Sequence, residues 1–328
     1  MIKVSILVPV YNAGKYIKRC CDSLFGQTYN DIEFVFVNDC SADDSLQQIK
    51  DVVSAYPERI SQLKIINHKV NRGSAASRNT ALDNSTGDFI MWVDSDDYLD
   101  LNAVDKLVQC YNTTGSDYIS YSAYRYYKTY REKVVNERYA SPQELLCAYL
   151  KGDANYYLWN RFVKASIYND YHLRFIEGLN MGEDMYLLPQ LVYHANKLAF
   201  LDDMLYHYDC TNIDSYTFSF SREKTEQNFQ SFYALKEKFA HVSNEFFELL
   251  EINNLKRLLR YKLALSVYND KDYYNLIQSR LDLVDSKFYK FVEKRDLPLL
   301  LIKNKWLIMV YAKVGGFILR TLKSVKQL

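Results

Sequence analysis

The sequence predicts an α/β fold, with a Rossmann-like, mostly parallel sheet flanked by helices and a helical C-terminal region. In the first third of the chain, short apolar runs alternate with segments of helical spacing, and the connections between them are short. Short strand–helix connections favour a parallel sheet with helices on both faces. From about residue 221 onward the pattern is helical, with many Lys and Glu residues and few glycines.

Seven elements are expected in the first third. The strands are predicted at residues 4–8, 32–37, 63–66 and 88–93, and the helices at residues 15–25, 43–55 and 74–82. The first helix places Ile17, Cys21 and Leu24 on one side. The second opens with a polar stretch rich in N-cap residues, and the third begins after Gly73.

The middle of the chain continues with mixed elements. A helix is expected over residues 102–111, a strand near Tyr118 and a tyrosine-rich hairpin over residues 123–135. The next helix has Pro142 at its first position, where a missing backbone N–H costs little. A further helix-like run follows the acid pair at residues 183–184.

Composition narrows the class of protein. The 328 residues include 41 basic and 40 acidic ones, so the chain lacks the basic charge typical of many nucleic-acid binders, and we expect no nucleic-acid partner. Six scattered cysteines form no zinc-binding spacing, and no secretory signal pattern is present, which favours a cytoplasmic protein with reduced thiols. No stretch reaches the roughly 18–20 apolar residues of a membrane span.

Three polar clusters follow predicted strands, at residues 9–12, 38–39 and 94–96. In open α/β sheets, ligands bind outside the carboxyl ends of the strands, so these clusters are expected to converge at one edge. Asp94 and Asp96 could hold Mg²⁺ or Mn²⁺, which bind one or two carboxylates together with substrate phosphates. The alternative is a solvated turn in which the aspartates only cap a helix.

The motifs VSILVPVYN, SLFGQTYNDIEFVFVND, NRGSAASRN, TGDFIMWVDSDDYL and GED occur in this order. Together they resemble family 2 of the glycosyltransferases, over roughly residues 2–216. The resemblance implies the GT-A fold, an inverting reaction, a UDP-sugar donor and an Mn²⁺ or Mg²⁺ cofactor. It also implies transfer of a hexose or N-acetylhexosamine to a glycan or lipid-linked acceptor in surface-polysaccharide synthesis.

The resemblance further implies roles for individual residues. The nucleotide-sugar site would comprise Pro9, Tyr11, Asn12, Asp39, Arg72, Arg78, Asp94 and Ser95. Asp96 would bind the metal together with Asp94, and in some GT-A enzymes a late histidine, here His207, completes the metal site. The alternative, a packed or surface histidine, is the favoured interpretation of His207.

The acid pair Glu183-Asp184 matches the position of the catalytic base, and Asp184 is favoured. Asp97 would support the metal site, Trp159 would wall the acceptor side, and Ser215 would help a loop close over the pyrophosphate. Structural alternatives stay open. Asp39 could cap a helix, Arg72 could be a surface charge, Arg78 could pair with a structural acid, Glu183 could interact with a helix dipole, and Trp159 could belong to the core.

Three regions are predicted: a nucleotide-sugar-binding half at residues 1–98, an acceptor-binding half at residues 99–220, and a helical region at residues 221–328. From residue 297 onward the chain holds six Lys or Arg residues and no acid, in the pattern of a basic amphipathic helix. Such a helix is typical of an element that binds a membrane surface. The resemblance to family 2 implies that this surface would be the inner face of the plasma membrane. Its apolar side could instead pack on other helices or on a second subunit.

Two rival functions remain at this point. A nucleotidyltransferase would carry a glycine-rich N-terminal loop, which MIKVSILVPVYNAGKY lacks. A non-catalytic relative that binds glycan or nucleotide is disfavoured by the intact Asp94, Asp96 and Asp184. The sequence does not indicate the donor sugar, the acceptor or the oligomeric state.

Overall fold

The computed structural model describes residues 1–212, 221–267, 270–293 and 296–310. The chain forms two compact units, one of residues 1–149 with 154–235 and one of residues 150–153 with 236–328. The expected division of the first unit after residue 98 stays a prediction. That unit continues beyond residue 220, where we expected its end.

The first part of the sheet agrees closely with the expected elements. Its strands are β1 (Val4–Val10), β2 (Ile32–Asn38), β3 (Leu63–Asn67) and β4 (Phe89–Trp92), and its helices are α1 (Ile17–Phe25), α2 (Ser45–Val53) and α3 (Ser74–Asp83). The four strands are parallel in the order β3-β2-β1-β4. All seven elements are confirmed, with ends displaced by at most two residues.

Both faces of this parallel part are buried. Ile6 and Val8 of β1 share a core cluster with Leu24 of α1, while the alternate residues Leu7 and Val35 are fully buried outside that cluster. Successive side chains of a strand point to opposite faces, so each face of the sheet is covered. Because both faces are covered, the sequences of these strands are nearly continuous apolar runs.

The second part of the first unit makes the sheet mixed. It contains β5 (Tyr98–Leu99), α4 (Ala103–Thr114), β6 (Tyr118–Tyr126), β7 (Arg131–Val134), α5 (Pro142–Lys151), β8 (Arg161–Lys164), α6 (Ala165–Asp170), α7 (Glu183–Tyr193) and β9 (Leu198–Asp209). The strand order continues β4-β8-β6-β9-β5, and β7 pairs with β6. Strand β8 is antiparallel to both of its neighbours, whereas β6 and β9 are parallel.

The expected helices and hairpin of this part are confirmed, but the sequence did not indicate β5, β8, α6 or β9. The first three are only two to six residues long. In β9, two adjacent acids, Asp202 and Asp203, interrupt the apolar pattern. The segment therefore lacks the alternation of apolar and polar residues that indicates a strand. The α/β fold is therefore confirmed, with a sheet that is parallel mainly in its first four strands.

The described elements after β9 are helical, as expected: α8 (Arg222–Phe239), α9 (Asn244–Val267), α10 (Lys271–Asp282) and α11 (Leu297–Leu301), together with a 3₁₀ helix at Ser286–Phe291 and helical residues at 305–310. The helix that begins at Leu297 ends at Leu301, so a continuous amphipathic helix from residue 297 is wrong. The part of that predicted helix at residues 311–328 lies outside the described residues. Among the described helices, none is both long enough and apolar enough to cross a membrane.

Candidate active site

The loops after β1 and β2 are joined by hydrogen bonds at the carboxyl edge of the sheet. The Asn12 side-chain oxygen accepts from the Ala42 amide at 2.9 Å, and the Asn12 amide donates to the Ser41 hydroxyl at 3.0 Å. The Asp39 amide donates to the Val10 carbonyl at 2.8 Å. Two of the three predicted polar clusters therefore lie side by side; in the first, Tyr11 is exposed and Pro9 half-buried, whereas Asp39 in the second is buried.

Asp39 organises the loop that precedes α3. Its buried carboxylate accepts hydrogen bonds from the backbone amides of Arg72 at 2.9 Å and Gly73 at 2.7 Å, and it lies 2.7 Å from Nδ1 of His68. Gly73 has a φ of 87°, and a Cβ there would lie 2.4 Å from the Asn180 side chain. Asp39 thus fixes the backbone from which the Arg72 side chain extends.

The Arg78 guanidinium on α3 lies close to three carboxylates. Its Nη1 donates to Oε1 of Glu183 at 2.5 Å and lies 3.8 Å from Oδ1 of Asp184, and its Nη2 lies 3.3 Å from Oδ1 of Asp94. Burial lowers the pKa of Arg78, but the three carboxylates outweigh burial and raise it overall. The acids expected after β4 and at the start of α7 are therefore brought together by one buried cation.

Asp184 is placed to accept a proton near neutral pH. Burial raises its pKa to about 7, with Arg78 opposing the rise and Glu183 and Asp94 adding to it. Its Oδ2 accepts from the Leu158 amide at 3.3 Å, while its buried Oδ1 has no hydrogen-bond partner among the described residues. An unused acceptor oxygen with a raised pKa is the arrangement that general-base catalysis requires.

Strand β9 supports the aspartate turn, residues 94–97, which follows β4. Asp97 is fully buried, its Oδ2 accepts from the Tyr206 hydroxyl at 2.7 Å, and its Oδ1 accepts from the Asp209 amide at 2.7 Å. Burial, together with the charges of Asp96 and Asp94, raises the pKa of Asp97 well above its usual range. Asp97 is therefore inaccessible to substrate, and its role in supporting the metal site stays a prediction.

The carboxylates of Asp94 and Asp96 are suited to a hard divalent cation. Asp96 accepts from the Asn212 side chain at 2.9 Å, and burial followed by repulsion from Asp94 raises its pKa. In the part of the chain that the structure describes, no group of three or more His, Cys, Asp or Glu side chains could hold a metal by itself. The donor set fits a metal that takes its remaining ligands from water and substrate phosphates. Ser95 lies between the two acids in this half-buried turn.

The assignment of His207 as a metal ligand is wrong. Its Nε2 lies 2.7 Å from Oδ1 of Asp100, its Nδ1 lies 2.9 Å from the Tyr126 hydroxyl, and its ring stacks on Tyr98 at 4.4 Å. Both ring nitrogens are thus occupied. The pairing of β5 with β9, which the sequence did not indicate, places His207 opposite Tyr98.

Trp159 belongs to the core rather than to an open sugar platform. Only 6% of the residue is exposed, and its ring stacks on Tyr206 at 4.6 Å and on Tyr157 at 5.0 Å. Of the remaining predicted site residues, Arg72 is exposed and pairs with Glu177 at 2.9 Å, and Ser215 lies outside the described residues.

Sequence reasoning missed four residues that shape this edge. Tyr206 supports Asp97, Asn180 accepts from the Ala75 amide at 3.2 Å, and Arg19 binds the Asp96 carbonyl at 2.9 Å. His68 could have been found, since it directly follows β3 at the same edge. Nothing in the local sequence marks the other three, because their partners are distant along the chain.

The chain matches the model of "Glycosyl transferase family 2" over residues 5–174. It is 32% identical to Glycosyltransferase GlyA of Streptococcus pneumoniae, over 63% of this chain and 30% of GlyA. It is 29% identical to poly(ribitol-phosphate) beta-N-acetylglucosaminyltransferase TarS of Staphylococcus aureus, over 63% of this chain and 35% of TarS. The matches therefore span less than two thirds of the length of these relatives.

Solved structures show the same fold. The structure of S. aureus TarS 1-349 in complex with UDP-GlcNAc matches 98% of this chain and 92% of that one, with a TM-score of 0.74 and 20% identity. The mannosyltransferase PcManGT from Pyrobaculum calidifontis, in complex with GDP-Man and Mn²⁺, matches 96% of this chain and 87% of that one, with a TM-score of 0.57 and 15% identity.

The fold and the acid-lined edge define a glycosyltransferase with the GT-A fold. The chain belongs to glycosyl transferase family 2, whose model covers more than half of it.

Proposed function

We propose that the protein is an inverting, metal-dependent glycosyltransferase. It moves a hexose or N-acetylhexosamine from a UDP-sugar to a glycan or lipid-linked acceptor in surface-polysaccharide synthesis. The observation that carries this proposal is the half-buried Asp184 carboxylate, whose Oδ1 accepts no hydrogen bond from the described residues and lies 3.8 Å from the Arg78 cation that also binds Asp94. The UDP-GlcNAc complex of TarS supports the choice of a UDP-sugar donor.

Asp184 acts as the general base in this proposal. The acceptor hydroxyl loses its proton to Asp184, its oxygen bonds to the anomeric carbon, and the bond from that carbon to the diphosphate breaks with its electrons leaving on the diphosphate. A single displacement inverts the anomeric centre. Glu183 is less suited to the task, because its Oε1 already accepts from Arg78 at 2.5 Å and from the Ser74 hydroxyl at 3.4 Å.

The donor would lie along the carboxyl edge of the sheet. The loop of Pro9, Tyr11 and Asn12 and the loop held by Asp39 would line the nucleotide pocket, with Arg72 extending from the second loop. Asp96 and Asp94 would hold Mn²⁺ or Mg²⁺, which would offset the charge that develops on the departing diphosphate.

The metal site is tested by UDP release in the absence of an acceptor. With a panel of UDP-sugars and Mn²⁺, we expect slow release from one donor, and we expect EDTA or Asp96→Ala to reduce it by about a hundredfold or more. The matched control is Asp51→Ala, which removes an exposed carboxylate on α2 and should leave release unchanged. If the wild type neither releases nor binds UDP when metal is present, the proposal is wrong.

A membrane contact for the second unit is also proposed. Leu301 is 81% exposed and Trp306 is 63% exposed, and Lys303 and Lys305 stand beside them in the sequence. Exposed apolar side chains next to basic ones fit an anionic lipid surface.

Flotation with anionic vesicles tests this contact. The double variant Leu301→Gln and Trp306→Gln is expected to reduce binding by about tenfold, since each change removes buried apolar area from the lipid contact. Leu283→Gln is the matched control, because Leu283 is 86% exposed elsewhere in the same unit. An equal loss of vesicle binding in both variants, or no vesicle binding by the wild type, would argue against a specific membrane contact.

A further inference from the structure

The hairpin of β6 and β7, residues 124–133, carries a concentrated positive charge. It contains four basic residues and one acid, Glu132, so its formal net charge is +3, although the net charge of the whole chain is only +1. The basic residues are Arg125, Lys128, Arg131 and Lys133. Among the described residues, none of the four has a carboxylate within 4 Å, whereas nearby Lys106 and Arg138 are paired with Asp203 and Asp202.

The lack of ion pairs is most informative at Arg125. Glu132 lies directly opposite Arg125 in the β6–β7 ladder, a position from which opposite charges normally interact. The two side chains nevertheless form no ion pair, and Glu132 accepts instead from the Tyr127 hydroxyl at 3.3 Å. The Arg125 guanidinium lies over the rings of Tyr157 and Tyr208, 4.8 and 5.8 Å from their centroids.

The charge of Arg125 is incompletely satisfied by the protein. Its Nη2 donates to the Tyr157 hydroxyl, but its buried Nε has no hydrogen-bond partner among the described residues. A half-buried cation without an anionic partner is unfavourable, and an anionic ligand would relieve that cost. A guanidinium held over aromatic rings is also preorganised to bind a planar carboxylate or a phosphate with two nitrogens.

Aromatic faces accompany the basic residues. The Arg131 guanidinium lies 4.4 Å above the Tyr124 ring, and Tyr127 stacks on Tyr130 at 4.6 Å, with Tyr130 60% exposed. Tyrosine rings offer apolar faces to the C–H groups of sugar rings, while their hydroxyls can bond to polar substituents. Tyr124 lies opposite Lys133 and Tyr126 lies opposite Arg131, so these rings and cations share one face of the hairpin, whereas Arg125 lies on the other face. The alternating rings and cations of the first face suit a sugar chain that bears negative groups.

The hairpin is bonded to strand β9, which supports the aspartate turn at the carboxyl edge of the sheet. Tyr126 pairs with Asp209 across β6 and β9, its carbonyl accepts from the Cys210 amide at 2.9 Å, and its hydroxyl lies 2.9 Å from Nδ1 of His207. The Asp209 amide in turn binds Asp97 in the aspartate turn. An acceptor lying on the hairpin would thus be adjacent to the turn that carries the proposed metal ligands.

We infer that the β6–β7 hairpin binds the acceptor and that the acceptor is an anionic glycan, carrying phosphodiester or carboxylate groups. The inference rests on the proposed function, because it assigns a chemical class to the acceptor of that reaction. A neutral glycan would leave the cations of the hairpin unpaired. A chain with regularly spaced anions would pair with Arg131 and Lys133 on one face, and an anionic group at the other face would pair with Arg125.

Calorimetric titration without donor tests the inference. The probes are a poly(glycerol phosphate) oligomer, a hyaluronan oligosaccharide with uronate groups, and a neutral maltooligosaccharide of the same length. The hairpin variant carries Arg125→Gln, Arg131→Gln and Lys133→Gln. The matched control carries Lys50→Gln, Lys64→Gln and Lys164→Gln, which remove the same charge elsewhere; Lys164, for example, pairs with Phe89 at the opposite end of β4.

We expect one anionic oligomer to bind and the neutral one not to bind, and the identity of the binding oligomer separates phosphodiester from carboxylate recognition. The hairpin variant should bind about tenfold more weakly or worse, the control should change by less than about twofold, and added salt should weaken binding. Thermal unfolding verifies that the hairpin variant is folded. Equal binding of the neutral oligomer, no binding of either anionic one, or tighter binding of single-stranded RNA or anionic vesicles to the hairpin overturns the inference.

Donor hydrolysis separates this inference from the proposed function. UDP release without acceptor is measured on the wild type and on the lysine control, because the hairpin is unaltered in both proteins. If release is normal but hairpin-dependent glycan binding is absent, only the inference about the acceptor fails. If glycan binding is present but release is absent, the hairpin binds an anionic glycan and the proposed catalysis fails.

Discussion

Replacing Asp184 by Asn is expected to lower kcat for sugar transfer by about 10²–10⁴-fold, the usual contribution of a general base. The substitution keeps the shape of the side chain and the acceptor oxygen for the Leu158 amide, but it removes the group that takes the proton. UDP affinity, measured by calorimetry with metal present, should change little because the carboxylate is assigned no contact with the nucleotide. A variant with full kcat would exclude Asp184 as the base.

The pH dependence gives a second readout of the same role. Because burial raises the pKa of Asp184 to about 7, the basic form is lost as the pH falls below that value. The wild-type kcat/KM should therefore rise with pH up to about 7 and then level off. Glu183→Gln removes a charge that raises this pKa, so it should move the rise to lower pH. An unchanged profile in that variant would contradict the assignment.

Replacing Arg78 by Gln is expected to reduce the free energy of unfolding at neutral pH by about 3–5 kcal/mol, the typical cost of breaking a buried ion pair. Arg78 is 8% exposed and lies against Glu183, Asp184 and Asp94, so its loss leaves three carboxylates without their common cation. Urea unfolding at several pH values measures the effect. The control is Arg72→Gln, since Arg72 forms an exposed pair with Glu177 worth less than about 1 kcal/mol.

The sign of the pH dependence follows from the carboxylates. Without Arg78, which lowers the pKa of Asp184, the folded-state pKa of that carboxyl rises further above its unfolded value. A raised carboxyl pKa destabilises the folded state at pH values above the unfolded pKa, and the penalty disappears as the carboxyl is protonated. The difference between the variant and the wild type should therefore be largest above about pH 7 and shrink toward about pH 4. A difference independent of pH would mean that packing, rather than charge, causes the loss.

Local sequence was sufficient for the parallel half of the sheet. The apolar runs of β1 and β2, the helical spacing of α1 and the glycine before α3 are each contained in a short stretch of chain. The same holds for Asp94 and Asp96, because the carboxyl edge of a parallel sheet follows from strand direction alone. That these acids lie at one edge with Asp39 could therefore be predicted before any contact was known.

Tertiary structure alone decided which polar side chains are accessible. Asp97 and Asp96 are neighbours in sequence, yet Asp97 is fully buried because Tyr206 and Asp209 of β9 bind it from more than a hundred residues away. His207 and Trp159 resembled functional residues, but strand pairing and ring stacking enclose both. The sequence by itself determined the class of fold and the acids at its edge, since strand period and turn chemistry are local. The pairing of Arg78 with three carboxylates, and the lack of ion pairs at the basic residues of the described hairpin, depended on long-range packing, which no short segment encodes.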